Sequence, residues 1–176
     1  EAMVPAAEVY SIDECFADLT GISSNLTEFG WRIRSRVLQC TGIPVGVGIA
    51  PTKTLAKLAN HTAKRLLGQT GGVVDICDPC TRDWVLRNTE VKEVWGIGRK
   101  MTAHLQALRI HTAMDLAKAD ARTLRDKFSV VVEKTARELG GIPCLELDEA
   151  EPPKQVICCR RMFGRRLSEL APIKQA

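Results

Sequence analysis

The order of secondary structure changes at Asp78–Pro79, and this change restricts the possible folds more than any other feature of the sequence. Before it, the apolar spacing alternates between that of strands and that of helices, in the order β-hairpin, α, β, α, β. Such alternation is typical of a sheet with helices packed on it. After it, the spacing is that of short helices. Because Pro disfavours helix in the residue before it, we predict an α+β chain with separate parts over residues 1–78 and 79–145.

The same spacing predicts the individual elements. Residues 8–21 are predicted to be β structure with Ile12 at an apolar strand position, and residues 26–40 a helix with Cys40 on its apolar stripe. A second helix, over 54–67, is expected to end at Gly68. The other predicted elements are strands over 44–50 and 73–77, helices over 81–88, 90–95, 99–108, 112–118, 121–127 and 129–140, an acidic tether over 146–155 and the start of a further strand after it.

Composition limits the class of protein. Of the 176 residues, 45% are hydrophobic and 26% charged, and no stretch approaches the roughly 18 to 20 apolar residues of a membrane span. The seven Cys are odd in number and lack paired spacing, which favours reduced thiols in a cytoplasmic protein. No signal-peptide pattern follows Glu1. Because the first residue is Glu rather than Met, we expect the sequence to be part of a longer reading frame.

Basic residues are concentrated in the second part of the chain. Residues 1–78 carry 7 Lys and Arg against 8 Asp and Glu, whereas residues 79–145 carry 12 against 8. A near-neutral part followed by a basic part fits contact with a polyanion such as nucleic acid. An ordinary basic helical surface would give the same numbers.

Two adjacent carboxylates, Asp13 and Glu14, lie within the first β segment. Buried charges are costly unless a partner or a metal neutralises them. Successive strand side chains point to opposite faces, so both acids can reach one ion only if the chain bends, as at a hairpin tip. Mg²⁺ suits such a pair, because it takes carboxylate oxygens together with phosphate oxygens and water. The alternative is an exposed turn with two solvated acids.

A row of lysines follows the start of the second helix. Lys53, Lys57 and Lys64 lie close to one helix face, and a helix N-terminus after a strand attracts phosphate. This row is a candidate triphosphate site, although a solvated helix face would look the same. The preceding Gly46 and Gly48 lack the spacing of a nucleotide-binding fingerprint.

A third motif, Trp95-Gly96-Ile97-Gly98-Arg99-Lys100, separates two predicted helices. Glycines here allow a tight turn with free N–H groups, and the next helix begins with two cations, a combination suited to a DNA phosphate. The alternative is a simple turn between helices. Cys77 and Cys80 have zinc-like spacing, but no second pair with that spacing accompanies them.

Together, the three motifs resemble those of one family. The run Val9–Phe16, containing Ser-Ile-Asp-Glu, resembles the signature of Y-family (translesion) DNA polymerases. Thr52–Asn60 follows at the family's interval, and Trp95–Gly98 matches the helix-hairpin-helix of its thumb. Together with Thr70–Asp75, the residues of these motifs are most similar to those of the UmuC subfamily, which contains the catalytic subunit of bacterial DNA polymerase V.

The resemblance implies a domain organisation. Residues 1–78 would be the second part of a palm, 79–145 a thumb, 146–155 a tether and 156–176 the first piece of a little finger. Primer-template DNA and deoxynucleoside triphosphates would be bound by the polymerase. Its implied partners are a UmuD-type subunit, the RecA filament and the sliding clamp.

The resemblance also implies roles for single residues. Asp13 would bind metal in a two-Mg²⁺ site, with Glu14 binding or positioning the metal near the primer end. Lys57 would hold the triphosphate. Gly96 and Gly98, followed by Arg99 and Lys100, would grip a DNA phosphate. Family members have another metal-binding Asp upstream of the position of Glu1, so we expect residues 1–176 alone to be inactive.

Three other functions remain open from the sequence. A DNA-binding module without catalysis would use only the helix-hairpin-helix. A palm-type nucleotidyl cyclase would share the carboxylates and lysines, but it has no duplex for the basic part to grip. A homologue from a mobile element with a mainly regulatory effect is the third.

Overall fold

A computed structural model of the chain describes residues 3–148. Its first part contains two strand pairs and three helices. The elements are β1 (Ala6–Val9), β2 (Cys15–Asp18), α1 (Leu26–Thr41), β3 (Val47–Ile49), α2 (Lys53–Arg65), α3 (Leu67–Thr70) and β4 (Val73–Asp75). The predicted order β-hairpin, α, β, α, β is therefore present, with one short extra helix.

The second part is helical, as predicted. Its elements are α4 (Pro79–Arg87), a 3-10 turn (Val91–Glu93), α5 (Arg99–Ala107), α6 (Ala113–Lys118), α7 (Ala121–Lys127) and α8 (Val130–Leu139). None of the helices in the described part of the chain is long and apolar enough to cross a membrane. The predicted tether extends past the last described residue, and the predicted strand and little-finger piece lie wholly outside the described residues.

The strands form two separate sheets rather than the single sheet that we expected. β1 and β2 form an antiparallel hairpin. β3 and β4, which precede and follow α2 in the chain, pair with each other in parallel. The hairpin is attached to α2 by side chains, through ion pairs from Glu8 to Lys53 and from Glu14 to Lys57. Neither strand of the hairpin forms backbone hydrogen bonds with β3 or β4 in a common sheet.

Two glycines let α2 approach β3 closely. A Cβ atom on Gly48 would lie 2.2 Å from the Ala56 carbonyl oxygen, and one on Gly46 would lie 2.4 Å from Asn60 Oδ1. Any larger side chain at Gly48 would push the helix backbone away from the strand. The two glycines thus serve helix packing, which agrees with their lack of a nucleotide-binding spacing.

Four predicted details are wrong. Ile12 is fully exposed because it lies in the turn of the hairpin, and Cys40 is exposed because the end of α1 projects from the core. Gly68 lies inside α3; the terminator is Gly71, which has φ +59° and lies against the ring of Trp31. The predicted helix over 90–95 is only the 3-10 turn.

One hydrophobic core continues from the first part into the second. It contains Leu55 and Ile76 before Asp78–Pro79 and Leu105, Leu116 and Leu139 after it, all fully buried. Packing of α2 against α8 provides part of this continuity. Burial of aliphatic side chains is the main stabilising contribution here, at about 1.5 to 3 kcal/mol for each large side chain.

A buried carboxylate joins the start of α2 to the end of α8. Glu138 is fully buried, and its Oε2 accepts hydrogen bonds from the N–H (2.9 Å) and hydroxyl (2.7 Å) of Thr54. Its Oε1 accepts from the N–H groups of Cys144 (2.9 Å) and Leu145 (3.0 Å). The N-cap of α2, Thr52, donates its hydroxyl to the Glu138 carbonyl at 2.9 Å.

Candidate active site and nucleic-acid interface

The two predicted site carboxylates lie in the turn between β1 and β2. The N–H groups of Tyr10 and Ser11 both donate to the Glu14 carbonyl, at 3.1 and 3.0 Å, and so close the turn. Asp13 is exposed and accepts a hydrogen bond of 2.7 Å from the Ser11 hydroxyl. The hairpin therefore supplies the bend that the adjacent acids required.

Asp13 is held in its ionised form. The hydrogen bond from Ser11 lowers its pKa below the ordinary value, and the positive charges of Lys64 and Lys57 lower it further. A carboxylate that is exposed, ionised and bonded to one hydroxyl keeps most of its acceptor sites for a ligand. Asp13 is thus available to bind a cation.

Lys57 faces Glu14 across the gap between the hairpin and α2. Its Nζ lies 3.0 Å from Glu14 Oε2, and the two side chains are 17% and 31% exposed. The same ammonium lies 4.0 Å from the centre of the Tyr10 ring and 4.7 Å from that of Trp95. The structure therefore brings together two of the predicted site residues, Glu14 and Lys57, from elements 43 residues apart in the chain.

Two of the three lysines in the predicted row share a cavity. A cavity of about 240 Å³ is lined by Lys57 and Lys64, with Glu14 and His61 beside them. Lys53, one turn earlier, is mostly covered by its ion pair with Glu8 and does not line this cavity. A larger open cavity of about 420 Å³ lies beside Trp31 on α1, away from every predicted site residue.

The Gly-x-Gly motif forms a tight turn before α5. Gly96 has φ +84°, a conformation that favours glycine, and the intervening Ile97 is buried, which fixes the turn to the core. Gly98 is the N-cap of α5 and provides no side-chain cap. Arg99 and Lys100 begin the helix and are exposed. The first turn of α5 thus combines uncapped N–H groups with two cations, an arrangement that attracts anions.

The donor set can be compared with the needs of Mg²⁺. Among residues 3–148, no group of three or more His, Cys, Asp or Glu side chains is close enough to hold a metal ion. Mg²⁺ often takes only one or two protein carboxylates and completes its shell with phosphate oxygens and water. Asp13 and Glu14 fit that pattern, since both offer hard oxygen ligands on one short turn.

Two aromatic residues at the site were not identified as functional from the sequence. Tyr10 and Trp95 contact Lys57, and the Trp95 indole N–H donates to the Tyr10 hydroxyl at 3.2 Å. They are separated by 85 residues, so no local spacing connects them. The available signal in the sequence was that Tyr10 directly precedes Ser11 of the carboxylate motif and Trp95 directly precedes Gly96 of the glycine motif.

Comparisons with known proteins show what the whole chain is similar to. The impB/mucB/samB family matches residues 1–61. The chain is 51% identical to Protein UmuC of Salmonella typhimurium over 178 residues, which cover 100% of this chain and 42% of that protein. It is 33% identical to DNA polymerase IV of Pelotomaculum thermopropionicum over 130 residues, covering 72% and 31% of the two chains.

A solved structure extends the comparison to the fold. A DinB-family error-prone DNA polymerase from Sulfolobus solfataricus matches with a TM-score of 0.61 and 26% identity, over 81% of this chain and 43% of that one. The chain spans about two fifths of the length of the curated relatives it matches over its full length. By whole-chain similarity to Protein UmuC and by its fold, the chain belongs to the Y family of DNA polymerases and is of the UmuC type.

Proposed function

We propose that the protein is a DNA-directed DNA polymerase that carries out error-prone translesion synthesis in the SOS response to DNA damage. The observation that carries this proposal is the pair of acids, Asp13 and Glu14, on a turn whose Glu14 lies 3.0 Å from Lys57. The relatives support it, since one is named a DNA polymerase and a structural neighbour an error-prone DNA polymerase. The substrates are primer-template DNA and deoxynucleoside triphosphates.

The proposed chemistry is transfer of a nucleotide to a primer 3′-hydroxyl. Asp13 and Glu14 would hold Mg²⁺, with a further carboxylate supplied upstream as the family resemblance implies. When bound, the metal ions lower the pKa of the attacking hydroxyl and stabilise the leaving oxygen. Lys57 binds the triphosphate and offsets its charge as pyrophosphate leaves. Glu14 keeps this ammonium oriented until the phosphates of the nucleotide displace the Glu14 carboxylate.

The second part of the chain is the proposed DNA-binding part. The uncapped start of α5, with Gly96, Gly98, Arg99 and Lys100, would bind a phosphate of the primer strand without reading its sequence. In this proposal residues 1–78 belong to a palm and 79–145 to a thumb with a helix-hairpin-helix, followed by the tether and a little finger. A UmuD-type subunit, the RecA filament and the sliding clamp are its proposed partners in the cytoplasm.

Primer extension tests the proposal most simply. The full-length protein and its Asp13→Ala variant are compared in Mg²⁺ on an undamaged and a lesion-containing template. A matched control is Asp18→Ala, which removes a partly exposed carboxylate from the other end of the same hairpin. We expect extension by the wild type and the control and its loss in Asp13→Ala. Equal extension by all three proteins would contradict the assignment of Asp13.

A second candidate function is DNA binding without catalysis, favoured by the open start of α5. It predicts that none of these proteins extends the primer although all bind it. In that case Asp13 and Glu14 would be a solvated turn.

A further inference from the structure

The ammonium of Lys57 lies between two aromatic rings that come from different parts of the chain. Tyr10 precedes the carboxylate turn, and Trp95 precedes the glycine turn of the helical part. The ring centres are 4.0 and 4.7 Å from Lys57 Nζ, well inside the approximately 6 Å range of a cation–π contact. Both rings therefore attract this lysine through their faces.

The two rings are themselves fixed in place. They meet edge to face, with centres 5.3 Å apart and planes at 88°, and the indole N–H bonds to the Tyr10 hydroxyl. Phe16 packs against both, with ring centres 5.7 and 5.9 Å away. The flexible lysine side chain thus meets aromatic rings that contact one another, and these contacts lower the number of positions its ammonium can occupy.

Lys53 provides a comparison on the same helix, one turn earlier. Its ammonium contacts a single ring, that of Phe16 at 5.2 Å, and it pairs with Glu8. Glu8 also accepts the N–H of Asp148 at 2.8 Å, so this carboxylate ties down a second segment of chain. The two-ring arrangement belongs to the lysine that lines the cavity.

We propose that Tyr10 and Trp95 are positioning residues that hold the Lys57 ammonium for the phosphates of the incoming nucleotide. This inference rests on the proposed function. A ring attracts the ammonium without carrying a net charge, so it does not compete with phosphate as a second carboxylate would. When the phosphates displace Glu14, the rings keep Lys57 in place. Trp95 thereby connects the nucleotide site to the turn proposed to bind DNA.

Kinetics of the full-length protein provide the first test. We expect Trp95→Leu and Tyr10→Leu each to raise the KM for nucleotide about 3- to 30-fold, the range set by one cation–π contact. In Tyr10→Leu the Kd for primer-template should stay within about 2-fold of wild type, because Tyr10 lies outside the turn assigned to DNA. Trp95→Phe and Tyr10→Phe retain a ring and should restore most of the nucleotide affinity. Trp84→Leu, which removes an exposed tryptophan from α4, is the matched control.

Two kinetic outcomes would overturn the inference. One is a wild-type KM for nucleotide in Trp95→Leu. The other is a Trp95→Phe variant as impaired as Trp95→Leu, which would assign the effect to indole packing instead of an aromatic face.

A spectroscopic test does not depend on polymerase activity. The full-length protein is labelled with 5-fluorotryptophan, and the ¹⁹F resonance that disappears in Trp95→Phe is assigned to Trp95. We expect Lys57→Met to shift this resonance, and inorganic triphosphate to shift it in wild type but not in Lys57→Met. A Trp95 resonance unaffected by Lys57→Met would overturn the inference even in an active polymerase. A responsive resonance in a protein that never extends a primer would support the inference and contradict the proposed function.

Discussion

Two of the carboxylate sites beside helix α2 differ in how many of their oxygen acceptor sites are already hydrogen-bonded. At its N-terminus, the buried Glu138 accepts four hydrogen bonds, two on each oxygen. On its outer face, Glu14 pairs with Lys57, and Asp13 accepts one side-chain bond from Ser11. A carboxylate has about four acceptor sites, so Glu138 has none left whereas Asp13 and Glu14 keep several.

This difference separates stability from function along one helix. Removing Glu138 would leave four donors without their acceptor, and the cost is large because the two donors of Thr54 are buried. Removing Asp13 leaves only a serine hydroxyl that water can satisfy. The comparison predicts that the saturated carboxylate sets the free energy of unfolding and that the unsaturated pair sets ligand binding. Each prediction below tests one side of it.

The largest effect on stability is expected from Glu138→Ala. We predict that it lowers the free energy of unfolding by about 3 kcal/mol or more, because two buried and two partly buried donors lose their acceptor. Denaturant unfolding of the full-length protein measures this change. Asp126→Ala, which breaks an exposed ion pair with Arg122, is the control and should cost less than about 0.5 kcal/mol. Similar losses in both would contradict the structural role of Glu138.

The next effect distinguishes the two lysines. Lys57→Met should raise the KM for nucleotide by about 10- to 100-fold, since a charged contact to the triphosphate is lost. Lys53→Met should change KM by less than about 3-fold, because its ammonium is engaged with Glu8. Steady-state single-nucleotide incorporation measures both. Equal changes in KM would show that the structure does not separate their roles.

A smaller effect is expected at the start of α5. Arg99→Ala and Lys100→Ala should each weaken primer-template binding without changing its sequence preference, and each should reduce the slope of log K against log salt by about 1. Arg122→Ala, which removes an exposed arginine outside this turn, is the matched control and should leave the slope unchanged. Fluorescence anisotropy over a range of salt concentrations measures the slope. An unchanged slope in both variants would contradict the DNA contact.

The smallest effect is a pH dependence of stability at Glu8. Burial alone would raise the pKa of Glu8, but hydrogen bonds from Lys53 and the Asp148 N–H, with the charge of Lys53, lower it overall. The resulting stabilisation is present above the ordinary Glu pKa of about 4.3 and is lost as pH falls below it. Glu8→Gln should flatten this acid-side loss, by about 1 kcal/mol or less. Melting temperatures between pH 3 and 7 provide the measurement, and identical curves would contradict it.

Local pattern was sufficient for much of the fold. The predicted helix over 121–127 has the bounds of α7, and that over 129–140 differs from α8 by one residue at each end. These elements are amphipathic and have strong caps, such as Asp120 and Ser129, so short windows of sequence define them. The hairpin bend at Asp13 was likewise readable, because two adjacent acids could not share a ligand on a straight strand.

Features of the structure that depend on contacts between distant parts of the sequence could not be predicted from local pattern. Spacing alone placed Ile12 on an apolar strand, although the turn exposes it, and it joined four strands into one sheet. The partners of Lys57 come from residues 38 to 47 positions away, and Glu138 lies 84 positions from Thr54. Such pairs are set by tertiary packing, which the period of a helix or a strand does not encode.

The most direct test measures two quantities on two variants of the full-length protein. Single-nucleotide incorporation and the free energy of unfolding are determined for Asp13→Asn and Glu138→Gln. We predict that Asp13→Asn loses incorporation by about 10³-fold with its stability unchanged. Glu138→Gln should lose stability but keep its rate per folded molecule. An Asp13→Asn variant that incorporates nucleotides like wild type, or that fails only because it unfolds, would contradict the account.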